Sequence, residues 1–141
     1  MAYKVFIDTN IMLDVFHADR EFHNDAKELF FKMDERIFFG YYTESVLTTT
    51  AYVLRKKMNA SQINNLVLEL NKKIMLLACS PSLINISAQK QPPDFEDALL
   101  YEIALHHQMD YFITSNLKDF NKIKSVQLPV LRAKEFNKLL S

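Results

Sequence analysis

The strongest constraint on this chain is a repeated junction, in which an apolar run just long enough for a buried strand gives way at once to polar residues. Val5-Phe6-Ile7 stops at Asp8-Thr9-Asn10 and is followed by helix-like Ile11 to Phe16; Tyr111-Phe112-Ile113 stops in the same way at Thr114-Ser115-Asn116. Between these junctions, helical and strand periodicities alternate. Helices are expected over Glu21–Met33, from a Thr43 cap through Lys57, from Ser61 through Lys72, in a short turn led by Pro81, over Asp94–His107 and over Ala133–Leu140. Strands are expected at Val5–Ile7, Arg36–Tyr42, Ile74–Leu77, Tyr111–Ile113 and Val126–Leu131. Strands separated by helices pair in parallel through right-handed crossovers, which gives an α/β sheet covered on both faces. Binding sites in such sheets form at the carboxyl ends of strands, so Asp8 and Thr114-Ser115-Asn116 mark the expected crevice.

The chain has 141 residues, 49% of them hydrophobic, with no internal repeat, so one domain over 1–141 is expected. Seventeen basic residues balance seventeen acidic ones, so contact with nucleic acid must come from a local basic face. A lone cysteine, Cys79, excludes an internal disulfide and argues against a thiolate zinc site. With no secretory apolar core near the N-terminus and no membrane-length apolar stretch, a cytoplasmic location away from the membrane is expected.

Asp8 directly follows three buried residues, so its carboxylate is fixed by a rigid element, as suits a ligand for Mg²⁺ or Mn²⁺. It could equally cap the following helix. Asp97 lies in Asp94-Phe95-Glu96-Asp97-Ala98-Leu99, where Asp94 is a natural N-cap and Glu96 and Asp97 oppose the positive end of the helix dipole. His106 and His107 sit at the far end of that helix, about 14 Å from Asp97 at helical rise, and read as a helix-terminus feature.

Together, Asp8-Thr9-Asn10, the segment Phe95-Glu96-Asp97-Ala98-Leu99, and Asp110 through Thr114-Ser115-Asn116-Leu117-Lys118-Asp119-Phe120 resemble the PIN-domain family, closest to its VapC-type toxins. The resemblance implies a three-layer α/β/α fold around a parallel sheet of about five strands. It also implies a metal-dependent endoribonuclease using Mg²⁺ or Mn²⁺, the toxin of a toxin–antitoxin pair, with an RNA substrate, a cognate antitoxin protein and a homodimeric state. Asp8 matches the family's first acid, Asn10 its polar companion, Asp97 the third acid, and Asn116 the position of the fourth, with Asp119 one short turn beyond. Asp8, Asp97 and Asn116 are then the expected metal ligands, and Asp119 joins them as a catalytic candidate. Asn10, Glu44, Thr49, Asp94, Glu96 and Thr114 are expected around them, and Lys118, Lys122 and Lys124 beside the RNA.

The family's second acid is missing: Thr49 stands at its position. Glu44 lies about 140° around the helix from Thr49 at 100° per residue, so it reads as a first-turn dipole acid rather than a substitute. These losses leave a second possibility, a catalytically degenerate PIN-like module that binds RNA or protein. A phosphoryl-transfer domain with Asp8 as nucleophile is disfavoured, because Thr9-Asn10 supplies no adjacent acid.

Overall fold

The computed structural model describes residues 2–141. Its centre is strand β1 (Lys4–Ile7), whose Val5, Phe6 and Ile7 are fully buried. Helix α1 (Thr9–Phe16) follows with no intervening turn, because Asp8 itself is the N-cap. Thr9 and Asn10, which precede the helix-like run from Ile11 in the sequence, are thus the helix's first two residues.

Helix α2 (His23–Asp34) turns its Ala26, Leu29, Phe30 and Met33 inward and ends where Arg36 adopts a left-handed φ of 61°. Strand β2 (Phe39–Thr43) begins later than the sequence suggests, with Gly40 pressed against the Met33 and Ile7 side chains. The Thr43 hydroxyl accepts from the Val46 amide at 3.2 Å and starts α3 (Glu44–Leu54), which stops three residues short of Lys57. Asn59, not Ser61, caps α4 (Ala60–Lys73), through a reciprocal exchange with Gln62. Strand β3 (Ile74–Leu77) and α5 (Pro81–Gln89, capped by Ser80) fall as expected.

Helix α6 (Phe95–His106) is capped by Asp94 and buries Ala98, Leu100, Tyr101, Glu102, Ile103 and Ala104. After β4 (Tyr111–Ile113) comes a four-residue helix, α7 (Leu117–Phe120), that the periodicity did not reveal. The expected strand over Val126–Leu131 shrinks to β5 (Val130–Leu131), and Val126 is 99% exposed. The preceding segment is held instead by the Tyr101 hydroxyl, which donates to the Leu128 carbonyl and accepts from the Ser125 amide, both at 2.7 Å. Helix α8 (Ala133–Leu139) closes the chain.

All five strands are parallel, in the order β3-β2-β1-β4-β5, and helices cover the sheet in the expected three-layer α/β/α arrangement. The chain winds outward from β1 in one direction through β2 and β3, then returns to lay β4 on the other side of β1. Beyond these points the crossovers on either side of β1 run in opposite senses, which opens a crevice at the carboxyl ends of β1 and β4. The stacked rings of Phe6 and Phe112, with centroids 4.9 Å apart, bind the two strands beneath that crevice. No helix among the described residues is long and apolar enough to cross a membrane.

Candidate active site

Asp8 sits where the β1–β4 ladder ends. Its amide donates to the Ile113 carbonyl at 3.0 Å, so its backbone is still part of the sheet. Its side chain is 2% exposed and is held on both oxygens. Oδ1 accepts from the Thr9 amide at 2.8 Å; Oδ2 accepts from the Thr114 hydroxyl at 2.8 Å and, at 3.5 Å, from the Asn10 side-chain amide. Thr114 in turn accepts from the Asn116 amide at 3.1 Å, which ties the end of β4 to the carboxylate at the end of β1. The cap interpretation of Asp8 therefore holds, and the carboxylate that caps α1 is the same group expected as a metal ligand.

Burial pushes the Asp8 carboxyl up from its ordinary 3.8 to about 6; the Thr114, Thr9 and Asn10 donors oppose this and the charge of Glu96 adds to it. Asp97, half-buried in the first turn of α6, is pushed up to about 7, first by desolvation and then by the charges of Asp8, Asp94, Asp119 and Glu96. Among those charges Asp8 acts most strongly. Two carboxyl groups from distant parts of the sequence thus raise a common negative potential, which protons or a cation must neutralise.

Asp94 accepts from the Asp97 amide at 2.9 Å and fixes the turn that carries Asp97. Asp94, Glu96, Asn116 and Asp119 are exposed around the pair. Asn116 leads into α7 without using its side chain as a cap. Asp119, one turn on, is among the charges felt by Asp97. Among the described residues no three His, Cys, Asp or Glu side chains stand close enough to chelate an ion by themselves. Mg²⁺ is commonly held by one or two carboxylates with water completing the shell, and the Asp8–Asp97 pair has that composition.

Glu44 is exposed and borders a different cavity, of about 480 Å³, with Leu76, Cys79, Leu99 and Ile103. It stands in the first turn of α3, in keeping with a dipole role. Thr49 is half-buried on α3 and takes no part in the hydrogen bonds that hold Asp8. Lys118, Lys122 and Lys124 are all exposed, and Lys122 borders a cavity shared with Pro92 and Pro93, just ahead of Asp94. His107 Nε2 donates to the Ala78 carbonyl at 2.9 Å, and His106 stands 3.4 Å from Glu102, both at the opposite end of α6 from Asp97. A cavity of about 490 Å³ between α2 and α4 also lies elsewhere.

What the sequence did not disclose is the depth of the polar support. Asp14, 1% exposed near the end of α1, is paired with Arg20 at 2.6 Å, which ties that helix to the segment after it. Its position inside an apolar helix was a signal, since a buried acid needs a partner.

The PIN domain family model matches residues 4–118. The chain belongs to the PIN domain family. This PIN domain is similar in fold to VapC20 of Mycobacterium tuberculosis, a Sarcin–Ricin loop cleaving toxin, with a TM-score of 0.62 and 14% identity over 77% of this chain and 86% of that one. It is likewise similar to VapBC2 from Rickettsia felis, solved bound to a DNA fragment from its promoter, with a TM-score of 0.66 and 15% identity over 92% of this chain and 98% of that one. A comparison with curated protein sequences finds no match.

Proposed function

We propose that this PIN domain, as one unit over 1–141, is a metal-dependent endoribonuclease of the VapC toxin type. The observation that carries the proposal is that Asp8, held by Thr9 and Thr114 at the carboxyl end of β1, is the foremost charge acting on Asp97 in the first turn of α6. Mg²⁺ or Mn²⁺ bound there would supply a water acidified for attack on a phosphodiester and neutralise charge on the phosphate oxygens. Asp8, gripped by Thr9 and Thr114, presents an oxygen whose position is set before any ligand arrives. Asp97 reaches the crevice from the first turn of α6, and Asn116 and Asp119 border it from the chain after β4. Lys118, Lys122 and Lys124 give sequence-independent contact with the RNA backbone.

The toxin-type assignment rests on family membership and on the fold shared with VapC20 and VapBC2. It brings with it a cognate antitoxin covering the acidic crevice, a homodimer and a cytoplasmic setting.

A second reading is a PIN-like module that binds RNA or protein without cleaving. Thr49 and Asn116 in place of acids favour it, because a less acidic site holds a cation more weakly. Incubating structured and single-stranded RNAs with the purified chain in Mg²⁺, Mn²⁺ or EDTA, beside Asp8→Asn, separates the two. Metal-dependent cleavage abolished by the substitution is expected. Cleavage that persists in Asp8→Asn overturns the site, and RNA binding with no cleavage in either metal favours the second reading.

A further inference from the structure

The carboxyl end of β5 lies directly beside the acidic crevice. The Thr114 amide donates to the Leu131 carbonyl at 3.0 Å, so the next residue, Arg132, emerges next to Ser115. Its guanidinium stands 5.6 Å from the centre of the Phe22 ring. Both line a cavity of about 320 Å³, together with Ile11, Glu21, Asp25, Ser115 and Lys134. The Ile11 amide donates to the Asp8 carbonyl at 3.1 Å, and Ser115 follows Thr114, whose hydroxyl donates to Asp8 at 2.8 Å, so two of the cavity's lining residues are tied to Asp8, one directly and one through its neighbour.

The walls are fixed. The Arg132 amide donates to Glu135 Oε1 at 3.0 Å. The Asn137 side-chain amide donates to the Asp25 carbonyl at 3.0 Å, and Lys32 Nζ donates to the Asn137 carbonyl at 2.9 Å, which joins α2 to α8. These bonds hold the backbone that carries Arg132 and Asp25 on two sides of the cavity.

Its chemistry is mixed in a particular way. An aromatic ring and a guanidinium plane offer stacking surfaces for a flat heterocycle. Arg132 and Lys134 offer two cations to a flanking phosphate, whereas Glu21 and Asp25 offer carboxylates that accept from amino groups. A bare phosphate site would carry no carboxylates, and an apolar side-chain pocket would carry no charges.

We propose that this cavity is a nucleobase subsite for an RNA residue adjoining the acid site, selecting bases with an exocyclic amino group over uracil. Stacking comes from Phe22 and Arg132, the phosphate contact from Lys134, and discrimination from Glu21 and Asp25, since uracil's one base-edge donor, N3–H, is flanked by two carbonyl oxygens that a carboxylate repels, whereas adenine and cytosine present an amino group. The inference rests on RNA being the substrate of the neighbouring acids. It adds a specificity element on the β5 side, away from the lysines that follow β4.

The test is fluorescence anisotropy of the full chain with labelled oligoadenylate, oligocytidylate and oligouridylate in EDTA, so that binding is read without cleavage. Oligoadenylate and oligocytidylate are expected to bind about 10-fold tighter than oligouridylate, as stacking plus one discriminating contact implies. Arg132→Gln and Phe22→Leu should erase that preference, Arg132→Lys should keep part of the affinity, and Lys56→Gln should change nothing; thermal melts check that each variant is folded. Equal affinity for all three oligonucleotides, or folded Arg132→Gln and Phe22→Leu chains that bind as the wild type does, overturns the subsite, as occupancy of the cavity by a peptide segment would. If the wild type cleaves RNA and these variants cleave it with unchanged KM and base pattern, the subsite falls while the nuclease stands. If base-selective binding is lost in the variants but no chain cleaves, the subsite stands and the cleavage proposal fails.

Discussion

Replacing Asp8 by asparagine should make the metal-free protein more stable at pH 8, even as it removes a candidate metal ligand. Burial raises the folded-state carboxyl from 3.8 to about 6, which is equivalent to about 3 kcal/mol of ionisation cost once the group is fully charged. The sign follows from linkage: a raised carboxyl costs nothing well below pH 3.8, and the cost grows as pH climbs through about 6 and is complete by pH 8. Asparagine cannot ionise, so it escapes that cost. It does lose something: an amide keeps one acceptor for the Thr9 amide but turns its nitrogen towards Thr114, whose oxygen already accepts from Asn116. Leaving the Thr114 proton without its partner costs about 1 kcal/mol. The net gain at pH 8 is about 2 kcal/mol, or about 6 °C in Tm for a chain of this length. At pH 4.5 only about a third of the ionisation cost has developed, so the gain falls to about zero. Thermal melts of both chains in EDTA at the two pH values measure this. A variant that melts at or below the wild type at pH 8, or an advantage independent of pH, refutes the reasoning.

Further outcomes follow from the same geometry. In Asp8→Asn the Asp97 carboxyl should titrate lower than about 7, because its strongest neighbouring charge is gone; carboxyl carbon shifts followed by NMR against pH read this directly, and an unchanged titration would separate the two groups. Thr114→Val removes a hydroxyl that stabilises the charged form of Asp8, so the Asp8 carboxyl should rise further and metal affinity should fall by about 10-fold, measured by calorimetric titration. Gly40→Ala should cost about 1–3 kcal/mol in a urea melt, because the added methyl would overlap the buried Met33 sulfur and approach Ile7 Cδ1 to 3.0 Å. Arg20→Ala strands the buried Asp14 charge and should cost about 2 kcal/mol, less than a fully buried pair because Arg20 is partly exposed; adding Asp14→Asn should recover part of it.

The elements that the sequence discloses best are those in which one residue serves two levels at once. Val5 to Ile7 is buried on both faces of a parallel sheet, so its apolar run is continuous, and Asp8 ends the strand, caps the helix and faces the crevice. Thr43 and Asp94 announce their helices by cap chemistry, and each is the observed N-cap, while Pro81 marks the first turn of α5. The failures have a common origin in tertiary override. The apolar residues of 126–131 look like a strand, yet the Tyr101 hydroxyl holds the Ser125 and Leu128 backbone in a loop, and a hydroxyl on a distant helix leaves no periodic trace. Helix α7 is four residues long, too short to show a period. At the site, the order of Asp8, Asp97, Asn116 and Asp119 is visible in the chain, whereas the Thr114 bond to Asp8 and the Arg132–Phe22 cavity depend on how β4 and β5 are registered. The mismatch between Glu44 and Thr49 was visible from helical phase alone, and Glu44 does border a separate cavity.

The claim that Asp8 and Asp97 serve one cation is tested most directly by titrating the purified chain with Mn²⁺ and following the free ion by electron paramagnetic resonance. One saturable site in the wild type, weakened about 10-fold or more in both Asp8→Asn and Asp97→Asn, is the expected result. Mn²⁺ held equally well by either variant would contradict it.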